Sequence, residues 1–257
     1  MTKRIVLVMN GKGGVGKSFF ATNFVQYLLD HQIESYSIDT DNENSTLKRF
    51  HPRAEFVNIE EPQEIDLIFS ALEKHELVTV DCRAASTDLF LEYFSEIHVF
   101  DVLRELDTAL TVIIPINHEA DSVEQVKLIS EALENNCRYI VVRNQVHSDQ
   151  FRIFDRSKTC QRLMEELGGQ ELTMPKLYDW LVTRLHETGL TITRALRSQE
   201  FTLIDRQRLK NWQTGFYEEL EKVREHLVPS KKQPPEKAKS TRTRKEPSEP
   251  EPVVPNL

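Results

Sequence analysis

Residues 10–18 read NGKGGVGKS and contain four of the eight glycines of this 257-residue chain, together with two lysines. A short apolar run at 4–9 precedes the stretch. After it, apolar residues recur at positions 20, 21, 24, 25, 28 and 29, which is the period of a helix. The glycines therefore join a buried strand to an amphipathic helix, the context in which a phosphate-binding loop is found.

The spacing Gly11-x4-Gly16-Lys17-Ser18 fits such a loop, although a strand–turn–helix with an accidental match is the alternative. Glycines lack Cβ, so backbone N–H groups can turn inward around an anion, and the next helix adds its positive N-terminus. Lys17 would reach the β- and γ-phosphates, and the Ser18 hydroxyl would coordinate Mg²⁺. The predicted binding residues of the loop are Gly11, Lys12, Gly13, Gly14, Val15, Gly16, Lys17, Ser18 and Phe19.

The composition, 39% hydrophobic and 29% charged, is typical of one soluble domain with a tail. No apolar run approaches the ~18 residues of a membrane helix, and the N-terminus lacks the features of a signal peptide. Cys82, Cys137 and Cys160 form no metal-ligand pair, so we expect reduced thiols in a cytoplasm. The net charge of −8 argues against a uniformly DNA-coating surface but allows a local basic patch.

Strand-like and helix-like segments alternate along the chain. The predicted strands cover 4–9, 34–38, 55–59, 77–81, 109–115, 138–143 and 171–174. The predicted helices cover 17–30, 62–74, 87–106 (interrupted), 120–135, 157–167 and 201–227. This alternation predicts an α/β fold of the P-loop NTPase type, a mostly parallel sheet with helices on both faces and ligands beyond the carboxyl ends of its strands.

The composition changes after about residue 228. Residues 229–257 are rich in Pro, Lys, Glu, Ser and Thr and poor in large apolar residues, so we predict a disordered tail after a domain of residues 1–228. Seven bases and one acid lie between residues 231 and 245. Two interpretations stay open for this segment: a solubilising tail, or a basic arm that contacts nucleic acid or an acidic partner.

The lysine at position 12 makes the loop more specific. The sequence KGGVGKS (residues 12–18) resembles the deviant Walker A motif of the ParA/MinD family of ATPases. In that family the early lysine reaches across a nucleotide-sandwich dimer to the phosphates bound by the other subunit. The resemblance implies ATP and Mg²⁺ as ligands, a homodimer on ATP binding, and catalytic roles for Lys12, Lys17 and Asp41. The alternative for Lys12 is a surface charge that acts electrostatically within its own chain.

Two acidic strand ends extend the resemblance. Asp39 and Asp41 fall where the family has its switch I, and Asp41 would position the attacking water and the Mg²⁺ shell. The alternative is an Asp/Asn-rich turn that caps the next helix. LVTVD (residues 77–81) has the Walker B form, in which Asp81 would hold Mg²⁺ through a water. The residues expected around the metal are Ser18, Asp41 and Asp81.

The loops around the nucleotide carry weaker matches. Ala85 stands where the family has a glycine that senses the γ-phosphate, and Arg83 is equally a phosphate partner or a surface residue. Asn144 follows a late strand, where a family asparagine hydrogen-bonds the adenine edge; an ordinary turn residue is the alternative. Pro175 follows another short strand, at a loop that borders the base in the family.

Within the family, the chain looks most like plasmid-encoded ATPases of conjugation and stability operons, the TraL and StbB type. The resemblance implies an ATP-hydrolysing dimeric switch in plasmid DNA segregation, positioning or conjugative transfer, in a bacterial cytoplasm, with a plasmid- or transfer-system protein as partner. The C-terminal region lacks the amphipathic helix of membrane-positioning members, so no membrane contact is expected. A nonspecific DNA surface would use the bases Arg184, Arg194, Arg197, Arg206, Arg208 and Lys210, and solvated helix faces are the alternative.

The sequence leaves two other functions as alternatives. A nucleotide-regulated adaptor with little turnover would suit the altered switch I and Ala85. A metabolic P-loop enzyme would need a second substrate pocket, for which the sequence offers no motif.

Overall fold

Seven strands and eleven α-helices alternate along residues 2–229, the part of the chain that the computed structural model describes. The strands are β1 (Lys3–Val8), β2 (Tyr36–Asp39), β3 (Glu55–Phe56), β4 (Leu77–Asp81), β5 (Thr108–Ile116), β6 (Arg138–Asn144) and β7 (Gln170–Met174). The first six helices are α1 (Lys17–Asp30), α2 (Thr46–Phe50), α3 (Pro62–Ser70), α4 (Thr87–Glu96), α5 (Val99–Glu105) and α6 (Ala120–Leu133). The others are α7 (Arg152–Asp155), α8 (Lys158–Gln161), α9 (Asp179–Thr188), α10 (Ile192–Ala195) and α11 (Leu203–Lys222).

The strands form one sheet in the order β3-β2-β4-β1-β5-β6-β7, and every pair is parallel. Alternate residues of β1 enter two different buried clusters. Ile5 and Leu7 belong to the cluster that includes side chains of α3, α4 and α6, whereas Val6 and Val8 belong to the one with α1, α9 and α11. Helices therefore cover both faces of the sheet, and the predicted fold class is confirmed.

The predicted element boundaries agree best with the structure where the local sequence pattern is strongest. α1 and β4 have the predicted bounds, but Leu29, expected on the apolar face of α1, is 54% exposed. The strand predicted at 55–59 is reduced to β3, because this edge strand pairs only with β2 and only over two residues. The helix predicted at 157–167 divides into α8 and a π-helical turn at Arg162–Glu166.

The chain after β7 differs most from the prediction. α9 and α10 were not predicted, and the helix expected at 201–227 ends at Lys222, with a short 3₁₀ turn at Arg224–His226. The buried Arg4 guanidinium donates to the carbonyl oxygens of Val228 (3.1 Å) and Glu225 (3.1 Å). The end of the described chain is thus tied to the central strand.

The predicted domain boundary at residue 228 stays a prediction. Apart from Pro229, the segment 229–257 expected to be disordered lies outside the described residues. Within residues 2–229, no helix combines the length and the apolar character needed to cross a bilayer.

Because all seven strands run in one direction, the loops that follow β1, β2, β4, β6 and β7 open at the same edge of the sheet. The candidate nucleotide and metal residues lie in these loops or at the strand and helix ends that border them.

Candidate functional site

The glycine loop between β1 and α1 depends on glycine at two positions. Gly14 and Gly16 have φ of 76° and 94°, in the left-handed region that side chains disfavour. A Cβ on Gly16 would also lie 2.4 Å from Asn144 Nδ2, and the Asn144 side chain is held there because Nδ2 donates to the Val15 carbonyl oxygen at 2.9 Å. The conformation of the glycine loop therefore depends on the Asn144 side chain at the end of β6.

The first glycine of the loop is fixed by a glutamine that the sequence patterns did not identify. The Gly11 N–H donates to Gln125 Oε1 at 2.9 Å, and the Thr87 hydroxyl donates to the same oxygen at 2.9 Å. A Cβ on Gly11 would lie only 2.4 Å from that oxygen. The only sequence indication of Gln125 is its place on the helix after β5, a helix that was predicted.

Lys17 is buried at the start of α1, and its Nζ donates across the loop to the Lys12 carbonyl oxygen at 3.1 Å. Burial lowers the pKa of the Lys17 ammonium, while the nearby Asp81, Cys82 and Asp41 raise it. A cation held inside a loop of inward-turned backbone is suited to bind a polyphosphate, which would replace the carbonyl contact.

Asp81 ends β4 as a fully buried carboxylate, and neither of its oxygens has a well-formed hydrogen bond to the described residues, although the Ser18 hydroxyl is close enough to lower its pKa. Burial raises the pKa of Asp81 to about 8, the Asp39 carboxylate adds to the shift, and Ser18 and Lys17 act in the opposite direction. A buried carboxylate without partners is costly, and a cation would satisfy it.

A divalent cation here would depend on few protein ligands. Within residues 2–229, no group of three or more His, Cys, Asp or Glu side chains is arranged to hold a metal. Ser18, phosphate oxygens and water would therefore complete the shell of Mg²⁺, a cation that keeps several waters. The donor set fits a magnesium–nucleotide complex.

The two aspartates after β2 have different surroundings. Asp39 is buried and accepts hydrogen bonds from the backbone N–H groups of Asp41 (3.0 Å) and Lys48 (2.9 Å), so it organises the loop and the start of α2. Asp41 accepts from the N–H groups of Glu43 and Asn44, both at 3.0 Å. Asp41 thus forms the turn considered as the alternative, and it also lines a cavity of about 350 Å³ beside Lys17 and Ser18.

A second, smaller cavity of about 190 Å³ lies beside the loop. Asn144 and Pro175 line it together with Gly14, Gly16 and Phe19, so the structure brings both predicted base-contacting residues to the glycine loop. Asn144 Oδ1 accepts from the Val146 N–H at 3.2 Å. The cavity has the position required of a base pocket, and the adenine contact itself stays a prediction.

Lys12 has two acidic partners within its own chain. Its Nζ lies 3.0 Å from Glu119 Oε2 and 3.0 Å from Asp121 Oδ2, at the start of α6. These hydrogen bonds raise the pKa of Lys12, Glu119 first. The early lysine is therefore held at the edge of the loop, with its charge against α6.

The loop after β4 also departs from the pattern expected for a phosphate sensor. Ala85 adopts a φ of 55°, in the left-handed region that glycine occupies more readily than alanine. Its N–H donates to the Gly11 carbonyl oxygen at 2.9 Å. Arg83 forms an ion pair with Glu60 at 2.6 Å, and Arg83 also lines the larger cavity. Both interpretations of Arg83 are compatible with this position.

An all-parallel sheet with a glycine loop after its central strand is the architecture of a P-loop nucleotide-binding protein. The profile of the CobQ/CobB/MinD/ParA nucleotide binding domain matches residues 6–206, and the chain belongs to this family. Protein MobD of Acidithiobacillus ferrooxidans is 27% identical over 228 residues, which cover 87% of this chain and 99% of that protein. Protein TraL of Escherichia coli is 25% identical over 244 residues, which cover 85% of this chain and 97% of that protein.

Two solved structures show the same fold with little sequence identity. The MinC:MinD cell division protein complex of Aquifex aeolicus gives a TM-score of 0.51 at 14% identity, covering 89% of this chain and 98% of that one. The septum site-determining protein MinD complexed with Mg-ADP, from Pyrococcus horikoshii, gives 0.51 at 15% identity, covering 87% and 96%. The predicted resemblance to the ParA/MinD family is confirmed.

Proposed function

We propose that this protein is an ATP-binding and ATP-hydrolysing switch that dimerises on ATP. The observation that carries the proposal is the buried Lys17 inside the glycine loop, near the buried Asp81 carboxylate, for which residues 2–229 provide no well-formed hydrogen bond. The two groups have opposite needs, an anion for Lys17 and a cation for Asp81. A magnesium-bound nucleotide satisfies both, and the Mg-ADP complex of the Pyrococcus horikoshii MinD supports this choice of ligand.

Each part of the site has a role in the proposal. The loop N–H groups and Lys17 bind the β- and γ-phosphates. Mg²⁺ supplies charge neutralisation at the phosphate oxygens, with Ser18 as a direct ligand and Asp81 acting through water. Asp41, which lines the cavity beside Ser18, would leave its turn and orient the attacking water. Asn144 and Pro175 would contact the base.

Lys12 would act in the dimer. In the single chain its ammonium is paired with Glu119 and Asp121 at the edge of the loop, where a second chain can approach. In the dimer, Lys12 would exchange these exposed carboxylates for the phosphates bound by its partner. Such an exchange would link dimerisation to the presence of ATP, because without phosphates the lysine keeps its own acidic partners.

The cellular setting is proposed from the sequence resemblance and the TraL relative. The switch would act in a bacterial cytoplasm, in the segregation, positioning or conjugative transfer of plasmid DNA, with a plasmid- or transfer-system protein as partner. Nonspecific DNA contact would use the bases between Arg184 and Lys210. Three of them are already engaged: Arg184 and Arg208 each lie 3.9 Å from Asp205, and Arg206 donates to the Ser198 carbonyl oxygen.

A second candidate, an adaptor with little turnover, is favoured by one observation. The Ala85 N–H, which stands where the family glycine senses the γ-phosphate, donates to the Gly11 carbonyl oxygen. If that bond persists with ATP bound, the loop after β4 does not report the γ-phosphate. Binding would then occur without efficient hydrolysis.

Calorimetry and turnover on two variants test the function. Lys17→Ala is expected to abolish ATP binding, because it removes the cation that faces the phosphates. Asp41→Ala is expected to retain binding and lose hydrolysis, because water positioning matters in the transition state. Lys127→Ala, at an exposed lysine on α6, controls for the loss of a positive charge. Equal ATP affinity of Lys17→Ala and wild type would end the phosphate-loop assignment. Binding without turnover, with or without DNA, would favour the adaptor.

A further inference from the structure

Two large aromatic side chains are left in solvent at the beginning of α9. Tyr178 is 49% exposed and Trp180 is 52% exposed, and their rings stack with centroids 4.3 Å apart at 26°. The Arg208 guanidinium, from α11, lies 5.4 Å from the Tyr178 ring centroid and 5.6 Å from that of Trp180. An exposed cluster of this kind is typical of an interaction surface, because exposed aromatic rings otherwise cost free energy.

The cluster is held by buried contacts beneath it. Asp205, buried at the start of α11, lies 3.9 Å from Arg208 and 3.9 Å from Arg184. Trp212, one turn after Arg208, donates its indole N–H to the Pro175 carbonyl oxygen at 2.7 Å. The loop that carries Tyr178 is thereby fixed to α11. A surface that is already ordered loses little conformational entropy when it binds a partner.

The chain segment that carries the cluster is basic and has two further exposed apolar residues. Leu203 and Ile204, in the first turn of α11, are 72% and 59% exposed, and Ile204 lies one turn before Arg208. Residues 176–210 contain seven Lys or Arg against four Asp or Glu, whereas the whole chain has a net charge of −8. We name the surface of Tyr178, Trp180, Ile204 and Arg208 the aromatic–arginine patch.

We propose that the aromatic–arginine patch binds single-stranded nucleic acid by base stacking. An unpaired base offers a flat π-face to Tyr178 or Trp180, and its phosphates are attracted by the surrounding bases. The Arg208 guanidinium adds a planar cation that also stacks on bases. In a duplex these faces are covered by neighbouring base pairs, so the patch selects single strands. The inference narrows the DNA contact proposed above to single strands, and it does not require the nucleotide switch.

Charge argues against two other occupants. The segment 231–245 of this chain carries seven bases and one acid, so it would be repelled by the basic surroundings of the patch. A second copy docked by a two-fold axis through the patch would bring two Arg208 guanidinium groups together. A partner with negative charge and flat bases matches both the basic charge and the exposed aromatic rings of the patch.

The test measures binding of the full chain to labelled oligothymidylate of about 20 nucleotides and to a duplex of the same length, by fluorescence anisotropy at low salt. We expect the single strand to bind about tenfold or more tightly than the duplex. The Tyr178→Ala/Trp180→Ala double variant is expected to lose about tenfold in affinity for the single strand. The matched control Ile153→Ala removes another exposed apolar side chain (48%) on α7 and should bind as wild type. Oligouridylate shows whether RNA is accepted as well as DNA.

Intrinsic fluorescence locates the contact independently. The chain has two tryptophans, and Trp212 is buried whereas Trp180 is exposed. Oligothymidylate should quench the wild-type emission, and this quenching should be absent in Trp180→Phe, which keeps a ring for stacking and retains most of the affinity. Arg208→Lys should weaken binding, because lysine keeps the charge but lacks the planar group. Lys17→Ala should bind the oligonucleotide normally, which separates this inference from the nucleotide site.

Several outcomes would overturn the inference. Equal affinity for the duplex, or unchanged affinity in the double variant, would show that stacking does not drive binding. A change of Trp180 emission on removal of residues 230–257, with no oligonucleotide present, would show that the C-terminal segment covers the patch. If the nucleotide-free protein is a dimer and Trp180→Ala dissociates it, a second copy of the chain covers the patch.

Discussion

Replacing Asp81 with asparagine should make the metal-free protein more stable while it removes function. Asp81 is 1% exposed, and neither of its oxygens has a well-formed hydrogen bond to the described residues. Burial, followed by the nearby Asp39 carboxylate, raises the pKa of Asp81 from 3.8 to about 8. Asparagine has the same shape as the protonated acid and does not titrate, so the variant removes the cost of protonating this carboxyl on folding.

The magnitude follows from linkage between protonation and folding. The unfolded chain releases this proton near pH 3.8 and the folded protein near pH 8, so the folded state binds more protons between these values. Stability is therefore lost as the pH rises through this window. At 1.36 kcal/mol per pH unit, the proton that this carboxyl must take up on folding lowers the free energy of unfolding by about 4 kcal/mol at pH 7, and by less than about 2 kcal/mol at pH 5.

Urea unfolding in EDTA at these two pH values measures the effect. We expect Asp81→Asn to exceed wild type by about 4 kcal/mol at pH 7, with a much smaller difference at pH 5. Asp101→Asn, at an exposed carboxylate on α5, controls for the loss of one negative charge. Magnesium with ATP should reduce the difference, because the metal complex stabilises wild type more than a variant that lacks the Asp81 carboxylate. A variant that is no more stable than wild type at pH 7, or a gap that is the same at both pH values, refutes the reasoning.

Two further predictions concern the loops around the nucleotide. If Asn144 contacts adenine, wild type prefers ATP over GTP and Asn144→Ala narrows that preference in calorimetry; equal wild-type affinities for the two nucleotides count against it. Ala85→Gly relieves a left-handed alanine, which costs about 1 kcal/mol, and the gain is partly offset by the greater chain entropy of glycine. We expect a net stabilisation of about 0.5 kcal/mol by urea unfolding, and a destabilised Ala85→Gly would show that the methyl group contributes packing.

The parts of the fold with strong local patterns could be predicted from the sequence. The glycine loop, α1 and β4 each rest on a run of residues that carries its own pattern, and their bounds agree with the structure. α9 was missed because its buried face is narrow: Leu181 and Leu185 are buried, Val182 is half-buried, and its other residues are polar or exposed. Its stability comes from packing against distant elements, which no local pattern shows.

The candidate site likewise contains residues that a local motif predicts and contacts that no local motif predicts. The proximity of Lys17, Ser18 and Asp81 could be predicted from motif spacing, because the motif and the strand order place them together, and their roles stay predictions. The partners of Lys12 could not be assigned, since Glu119 and Asp121 follow it by more than a hundred residues and sit on a different loop. Gln125, which holds the Gly11 N–H, was missed for the same reason. Contacts between distant loops depend on the packed fold.

The central claim is that ATP converts a monomer into a dimer through Lys12. Light scattering after size exclusion, with and without ATP, tests it on the Asp41→Ala background, where turnover is suppressed. The background protein should be a monomer without nucleotide and a dimer with ATP. Adding Lys12→Ala should leave ATP binding intact, because Lys17 and the glycine N–H groups remain, and the protein should stay monomeric. A Lys12→Ala variant that dimerises normally with ATP would show that this lysine acts within its own chain and would contradict the proposed switch.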